Sequence, residues 1–197
     1  MNDILYSIAG ISIPFIGTSL GSSLVFFLKK NINEGFQKMI IGFATGVMIS
    51  ASIWSLIIPS VEMAQRQNII QWLPATIGFV AGVIFLIIIN KVAEKIETKK
   101  GKKLNMILFS VTLHNIPEGM AVGVCFAGAI AHNSGITLAG AFALAIGIAI
   151  QNLPEGAIIS MPLKSEGVSR SKAFLYGTLS GIVEPIGAII TLLITTS

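Results

Sequence analysis

Three glutamates, Glu118, Glu155 and Glu184, lie in the middle of long apolar stretches of the sequence. An ionisable side chain at the centre of a bilayer costs about 3 kcal/mol on insertion scales, so such a residue has a partner or a function. The other six acidic residues lie in links or near the ends of the chain. The three embedded carboxylates are therefore the first candidates for chemistry.

Two of these glutamates belong to a repeated pattern. HNIPEG begins at His114, and QNLPEG begins 37 residues later at Gln151. Glu118 follows His114 by four residues and Asn115 by three, so the three side chains lie on one side of a helix. The same spacing returns in Gln151, Asn152 and Glu155.

A proline accompanies each of the three glutamates. Pro117 and Pro154 directly precede Glu118 and Glu155, and Pro185 directly follows Glu184. Because proline has no backbone N–H and crowds the carbonyl four residues back, we expect a kink at each place. Freed carbonyls at membrane depth occur where they line a cavity, and broken helices of this kind mark midplane binding sites in transporters.

The polar groups at this depth need a positive partner, and no lysine or arginine lies within the apolar stretches. Protons or metal ions must therefore supply the positive charge. Carboxylate oxygen and imidazole nitrogen suit Zn²⁺, with Mn²⁺, Fe²⁺, Co²⁺ and Cd²⁺ as competitors. Two divalent ions would balance three ionised glutamates, which favours a two-metal cluster bridged by Glu118 and Glu155. Protons alone would leave the histidine and the amides without an evident role.

The elements that must position these residues are membrane spans. The chain of 197 residues is 53% hydrophobic and 11% charged, with a mean hydropathy of +0.84, which excludes a soluble domain. A single cysteine, Cys125, excludes a disulfide framework and a cysteine-rich zinc site. Each of six charge-poor stretches has about the 20 residues that a helix needs to cross hydrocarbon. We predict an all-α integral membrane protein with one transmembrane domain, residues 1–197, formed by a polytopic helix bundle with spans 4–28, 39–60, 71–90, 104–130, 135–161 and 173–196.

The basic residues predict the orientation of these spans. Twelve of the 13 lie in the links after spans one, three and five, including the basic link 91–103, and only Arg66 lies on the other side. The positive-inside rule places those three links in the cytoplasm and the N-terminus outside. The same clustering favours a lipid bilayer as partner and gives no basic, aromatic-rich face for nucleic acid.

Five Gly-xxx-Gly pairs predict close helix packing within the bundle, since small residues let membrane helices approach one another. None of these glycines is predicted to bind a ligand. The pairs are Gly17/Gly21, Gly42/Gly46, Gly78/Gly82, Gly119/Gly123 and Gly177/Gly181.

HNIPEG and QNLPEG on consecutive helices resemble the paired signature of the ZIP (Zrt/Irt-like) metal transporters. The glutamine of the second copy resembles the bacterial GufA-like branch. The similarity extends over nearly the whole chain, including GVMISASIWSLIIPS in span two. The resemblance implies transport of divalent metal, chiefly Zn²⁺, through an alternating-access cycle in a bacterial inner membrane. It further implies a possible homodimer and no organic cofactor.

The resemblance also implies roles for individual residues. One metal site would consist of His114, Glu118, Gln151 and Glu155. Its neighbour would share the two glutamates and add Asn115, Asn152 and Glu184. Two residues in span two resemble positions along the transport pathway, namely Met48 and Ser55.

The chain departs from the family pattern in two respects. Relatives have eight spans, so we expect the last two helices to be missing and transport by these residues alone to be in question. The link 91–103 contains no histidine, although many relatives carry a histidine-rich metal trap there.

Three other functions remain open. An intramembrane zinc hydrolase would carry His-Glu-x-x-His, which does not occur in this chain. A proton or monovalent-cation pathway would use the glutamates as relays and would depend little on His114 or Gln151. A membrane metal-binding protein that does not transport would keep the ligands without the complete set of spans.

Overall fold

The computed structural model describes residues 2–27, 34–100, 103–131 and 136–196, and no strand occurs among them. The predicted all-α fold is confirmed. The helices are α1 (Asn2–Phe27), α2 (Glu34–Ala51), α3 (Ile58–Arg66), α4 (Leu73–Lys100), α5 (Lys103–Ile130), α6 (Leu138–Ser165), α7 (Arg170–Ser180) and α8 (Val183–Thr196).

The second predicted span is one helical segment with a wider turn in its middle. A π-helical stretch, Ser52–Ile57, joins α2 to α3. Pro59 lies at the start of α3 and has no N–H to donate to the preceding turn. Such π-helical insertions are rare and occur frequently at functional sites.

Helix α4 is longer than the apolar pattern predicted. It runs to Lys100, ten residues beyond the expected end of the span at residue 90, and so includes most of the predicted basic link. Six of these ten residues are charged, and none of the ten is glycine or proline; the next glycine is Gly101. Lysine, glutamate and alanine are good helix formers, so the helix continues after the apolar stretch ends.

The last predicted span consists of two helices. Helix α7 ends at Ser180, and α8 begins at Val183 after a tight turn in which the Glu184 N–H donates to the Gly181 carbonyl at 3.0 Å. Pro185 therefore lies in the first turn of α8, where its missing N–H would have no intrahelical partner. The sequence predicted a kink at Pro185. The structure instead has a break between two helices, just before Glu184.

Long apolar helices and a largely apolar surface make this a multi-pass membrane protein. Within the described residues, three stretches are long and apolar enough to cross a bilayer, and a shorter apolar stretch covers Leu73–Ile89. Large apolar side chains are exposed along most of α4 and α8, including Phe79 at 66% and Ile194 at 71%. The three long stretches are Leu5–Phe27, Leu138–Ser165 and Arg170–Thr195.

The main helix pairs are α1 with α6 and α5 with α8, and both pairs meet at glycines. A Cβ on Gly17 or Gly21 would overlap the backbone of α6 at Ala149 or Leu153. A Cβ on Gly119 would overlap the backbone of Glu184 in α8, and Gly123 is equally close to the next turn of that helix. These glycines allow the backbones to approach closely, as the sequence predicted.

The remaining glycine pairs divide into two groups. Gly177 and Gly181 of the last span lie against the Ser22 and Thr18 side chains of α1. A Cβ at any of four other glycines would meet no atom within 4 Å in the described part of the chain, so these residues do not mediate the packing described here. The four are Gly42, Gly46, Gly78 and Gly82.

Two apolar clusters enclose a polar layer in the middle of the bundle. On α1, Ile11 belongs to one cluster and Val25 to the other, with the buried Thr18 between them. On α6, Ile148 and Ile159 likewise flank the segment that carries QNLPEG. The polar segments therefore lie at one depth, with packed apolar side chains on both sides along the helix axes.

Candidate metal centre

Each copy of the repeated motif lies within one helix, so the helical repeat places its polar side chains on one side of that helix. Pro117 and Pro154 lie inside α5 and α6, and both helices continue through their prolines. Because proline has no N–H, the Leu113 carbonyl in α5 and the Ile150 carbonyl in α6 each lack the hydrogen bond that the residue four positions later would donate. The interruption between α7 and α8 brings the third glutamate to the same region, in the first turn of α8. Carboxylates are favoured there, because the first turn of a helix presents free N–H groups.

The first predicted site is assembled at the α5–α6 contact. The His114 Nε2 and Glu118 Oε1 atoms are 3.5 Å apart, and Gln151 donates a hydrogen bond from Nε2 to the same Glu118 oxygen. Ligand atoms of His114, Glu118 and Glu155 all lie within 4.8 Å of one another. One imidazole nitrogen and two carboxylates at this separation are close enough to contact a single bound cation.

The second predicted site lies deeper in the protein. The side chains of Asn115, Asn152 and Glu184 are each 0% exposed, whereas His114 is 35% and Glu118 12% exposed. The carboxylate of Glu184 is near enough to those of Glu118 and Glu155 to repel them when all are ionised. The structure therefore places all seven predicted ligands in one region. Three of them are partly exposed, namely His114, Glu118 and Glu155, and the other four are buried.

Each enclosed ligand is fixed through one atom and leaves another without a partner. Asn115 donates from Nδ2 to the Ser180 carbonyl at 3.2 Å, and Asn152 donates from Nδ2 to the Pro14 carbonyl at 3.4 Å. Glu184 accepts a hydrogen bond at Oε1. The opposite oxygen of each side chain is buried without a hydrogen-bond partner, as is one oxygen of each bridging glutamate: Asn115 Oδ1, Asn152 Oδ1, Glu118 Oε2, Glu155 Oε2 and Glu184 Oε2.

Five unpartnered acceptor oxygens among neighbouring buried residues are unusual, because nearly all buried polar atoms form hydrogen bonds. A buried acceptor left unpaired costs about 1–3 kcal/mol, and more when it is charged. A cation would satisfy several of these oxygens at once. The basic residues of α5 and α6 are too far along their helices to be that cation. At 1.5 Å per residue, Lys103 is roughly 16 Å along the axis from His114, and Lys164 is roughly 13 Å from Glu155.

A cavity of about 210 Å³ opens onto the first site. His114, Glu118 and Gln151 form its polar wall, while Ser52 and Leu56 of the π-helical stretch line another side. Ser52 and Leu56 were not predicted from the sequence. Pro59 could have indicated them, since a proline within an apolar helix predicts a local change of helical geometry next to it.

The two pathway residues suggested in span two are Met48 and Ser55. Met48 belongs to α2 and Ser55 to the π-helical stretch, but their side chains lie outside the described part of the structure. Their predicted contact with the ion stays a prediction.

Comparisons with known proteins show which sequences this chain is similar to. The family model for the ZIP zinc transporters matches residues 103–197, which contain all seven predicted ligands. The chain is 31% identical to zinc transporter ZIP11 of Xenopus tropicalis over 95% of this chain and 79% of that protein. It is 33% identical to zinc transporter ZupT of Streptococcus mutans over 95% of this chain and 72% of that protein. It is 31% identical to zinc transporter GufA of Myxococcus xanthus over 88% of this chain and 70% of that protein.

Proposed function

This chain belongs to the ZIP zinc transporter family, and from that membership we propose that it carries divalent metal ions, chiefly Zn²⁺, into the cytoplasm through two adjacent ion positions. One position is formed by His114, Glu118, Gln151 and Glu155. The other uses the same two glutamates with Asn115, Asn152 and Glu184. The observation that carries the proposal is the group of five buried oxygens without hydrogen-bond partners.

Charge balance supports two ions. Three ionised glutamates close together repel one another, and two divalent cations would offset them while using the amide oxygens as neutral ligands. Oxygen and nitrogen donors suit zinc and its divalent neighbours. A mixed donor set also favours moderate affinity, since thiolate-rich sites hold zinc tightly enough to stabilise a fold, whereas a carrier must release its cargo.

The exposure of the ligands suggests an order of binding. The cavity reaches His114, Glu118 and Gln151, while Asn115, Asn152 and Glu184 are fully enclosed. An ion from the cavity would therefore meet the first position before the second. The shared glutamates contribute to both positions, so occupation of one position changes the charge felt at the other.

Substitution of the two neutral ligands separates metal transport from a proton or monovalent-cation pathway. His114→Ala and Gln151→Ala should each lower zinc uptake by about 10-fold or more, because each removes a donor from the first position. The measurement is uptake of labelled Zn²⁺ into proteoliposomes. His132→Ala is the matched control, since His132 is the other histidine of the chain and its sequence position predicts a link. Parent-like zinc uptake by both ligand variants would contradict these ligand assignments, and movement of protons or monovalent cations that neither substitution alters would favour the glutamate relay.

We also propose that the links after spans one, three and five face the cytoplasm. Gln65 and Glu166 are exposed at opposite predicted ends of the bundle and are suitable positions for cysteine labelling. Replacing the buried Cys125 by alanine first removes the only native thiol. An impermeant maleimide should then label Gln65→Cys in intact cells and Glu166→Cys only after lysis. The reverse pattern would contradict this orientation.

A further inference from the structure

Helix α1 reaches the enclosed ion position through a buried hydroxyl. Thr18 is 0% exposed, and its Oγ1 donates a hydrogen bond to Glu184 Oε1 at 2.9 Å, while the Pro14 carbonyl is a more distant acceptor at 3.4 Å. The two residues are 166 positions apart in the chain. Glu184 Oε2, the other carboxylate oxygen, is buried without a partner. The hydroxyl thus occupies one oxygen and leaves the other for an ion.

A second contact from the same helix has the same effect. The Pro14 carbonyl, one turn before Thr18, accepts a hydrogen bond from Asn152 Nδ2 at 3.4 Å. Asn152 Oδ1 is then the unpartnered end of its amide. One edge of α1 therefore holds two proposed ligands by the atoms that would not contact the metal.

Close packing holds Thr18 in place. A Cβ on Gly181 would lie 2.9 Å from the Thr18 side chain, and a Cβ on Gly156 would overlap the Thr18 carbonyl oxygen. Thr18 is thus enclosed between the turn that precedes α8 and the QNLPEG segment of α6. A β-branched side chain in a helix already has few rotamers, so this enclosure fixes the direction of its hydroxyl.

We infer that Thr18 is a positioning residue for the second metal ion, acting through the carboxylate of Glu184. The inference rests on the two-ion site proposed above. Hydrogen bonds to a metal ligand fix its orientation, and their removal commonly lowers metal affinity by about 10- to 100-fold. Thr18 does not itself contact the ion in this account.

The test uses the full chain in detergent and measures zinc stoichiometry and affinity by equilibrium dialysis. Thr18→Val keeps the shape of the side chain and removes the hydroxyl, so one of the two ions should bind about 10-fold or more weakly. Thr18→Ser keeps the donor and should retain both affinities. Ser22→Ala is the matched control, because Ser22 is a buried hydroxyl one turn later whose hydrogen bonds end on backbone carbonyls. If Thr18→Val fails to fold, Thr18→Ala replaces it in every comparison.

A double-mutant cycle separates positioning from general packing. In a Glu184→Gln background, Thr18→Val should cause little further loss of affinity, because the carboxylate through which it acts is gone. Independent, additive losses would overturn the inference, as would parent-like binding of both ions by Thr18→Val or equal losses in Ser22→Ala. If the parent protein itself binds fewer than two ions, the two-ion site fails and the role of Thr18 fails with it.

Discussion

Replacing Glu118 with alanine is expected to lower zinc uptake into proteoliposomes by about 100-fold or more, because the substitution removes a proposed ligand of both proposed ion positions. Glu118 lies beside His114, receives the Gln151 hydrogen bond and is close to the other two embedded glutamates. Its second oxygen is one of the buried acceptors without a partner. Glu118 belongs to both proposed positions, so its loss should affect the binding of both ions.

The comparison variants for Glu118 distinguish charge from geometry. Glu118→Gln keeps the size of the side chain and removes its charge, so it should bind zinc more weakly than the parent protein while folding normally. Glu62→Ala removes an exposed glutamate of α3 and should leave uptake unchanged. Parent-like zinc binding and uptake by Glu118→Ala would show that the proposed site is wrong.

Gly119→Ala is expected to destabilise the protein and to lower zinc uptake together. The added Cβ would overlap the backbone of Glu184, which has no rotamer change available to relieve the clash. Overpacking costs about 1–3 kcal/mol, which exceeds the roughly 1 kcal/mol that alanine gains over glycine in a helix. The two helices must separate, which moves Glu184 away from Glu118. Thermal unfolding in detergent and zinc uptake are the measurements.

Gly78→Ala is the matched control for this packing prediction. It makes the same chemical change in the middle of an apolar helix, but a Cβ at Gly78 meets no described atom within 4 Å. We expect an unchanged or slightly raised melting temperature and parent-like uptake. Equal behaviour of the two alanine variants would contradict the close contact between α5 and α8.

The sequence predicted which polar side chains would lie together, because their spacing matches the period of a helix. His114, Asn115 and Glu118 needed only a helical register to lie on one side of α5, and the second copy repeated the argument on α6. The embedded charge of Glu184 identified the third helix without any partner in its own segment. Helical spacing and the position of an embedded charge were therefore sufficient to identify these residues.

The features that the sequence did not predict depend on contacts between distant segments or on competing local preferences. Nothing in the sequence distinguishes Thr18 from other threonines in helices, because its partner Glu184 lies 166 positions away. The continuation of α4 to Lys100 follows from helix propensity, which outlasts the apolar stretch. The position of the break before Val183 follows from where Pro185 is tolerated. The Gly-xxx-Gly pattern states only that close packing is possible, so it did not separate Gly119 from Gly78.

The apolar clusters on either side of the polar layer are relevant to the passage of hydrated cations through the helix bundle. Packed apolar side chains lie on the two sides of the polar layer, such as Phe126 and Leu144 in one cluster and Ile159 and Leu163 in the other. A hydrated cation that entered either cluster would lose its water shell with no oxygen to replace it. For the transport proposed above, an ion would therefore cross only if the helices rearranged to open a polar path through these clusters.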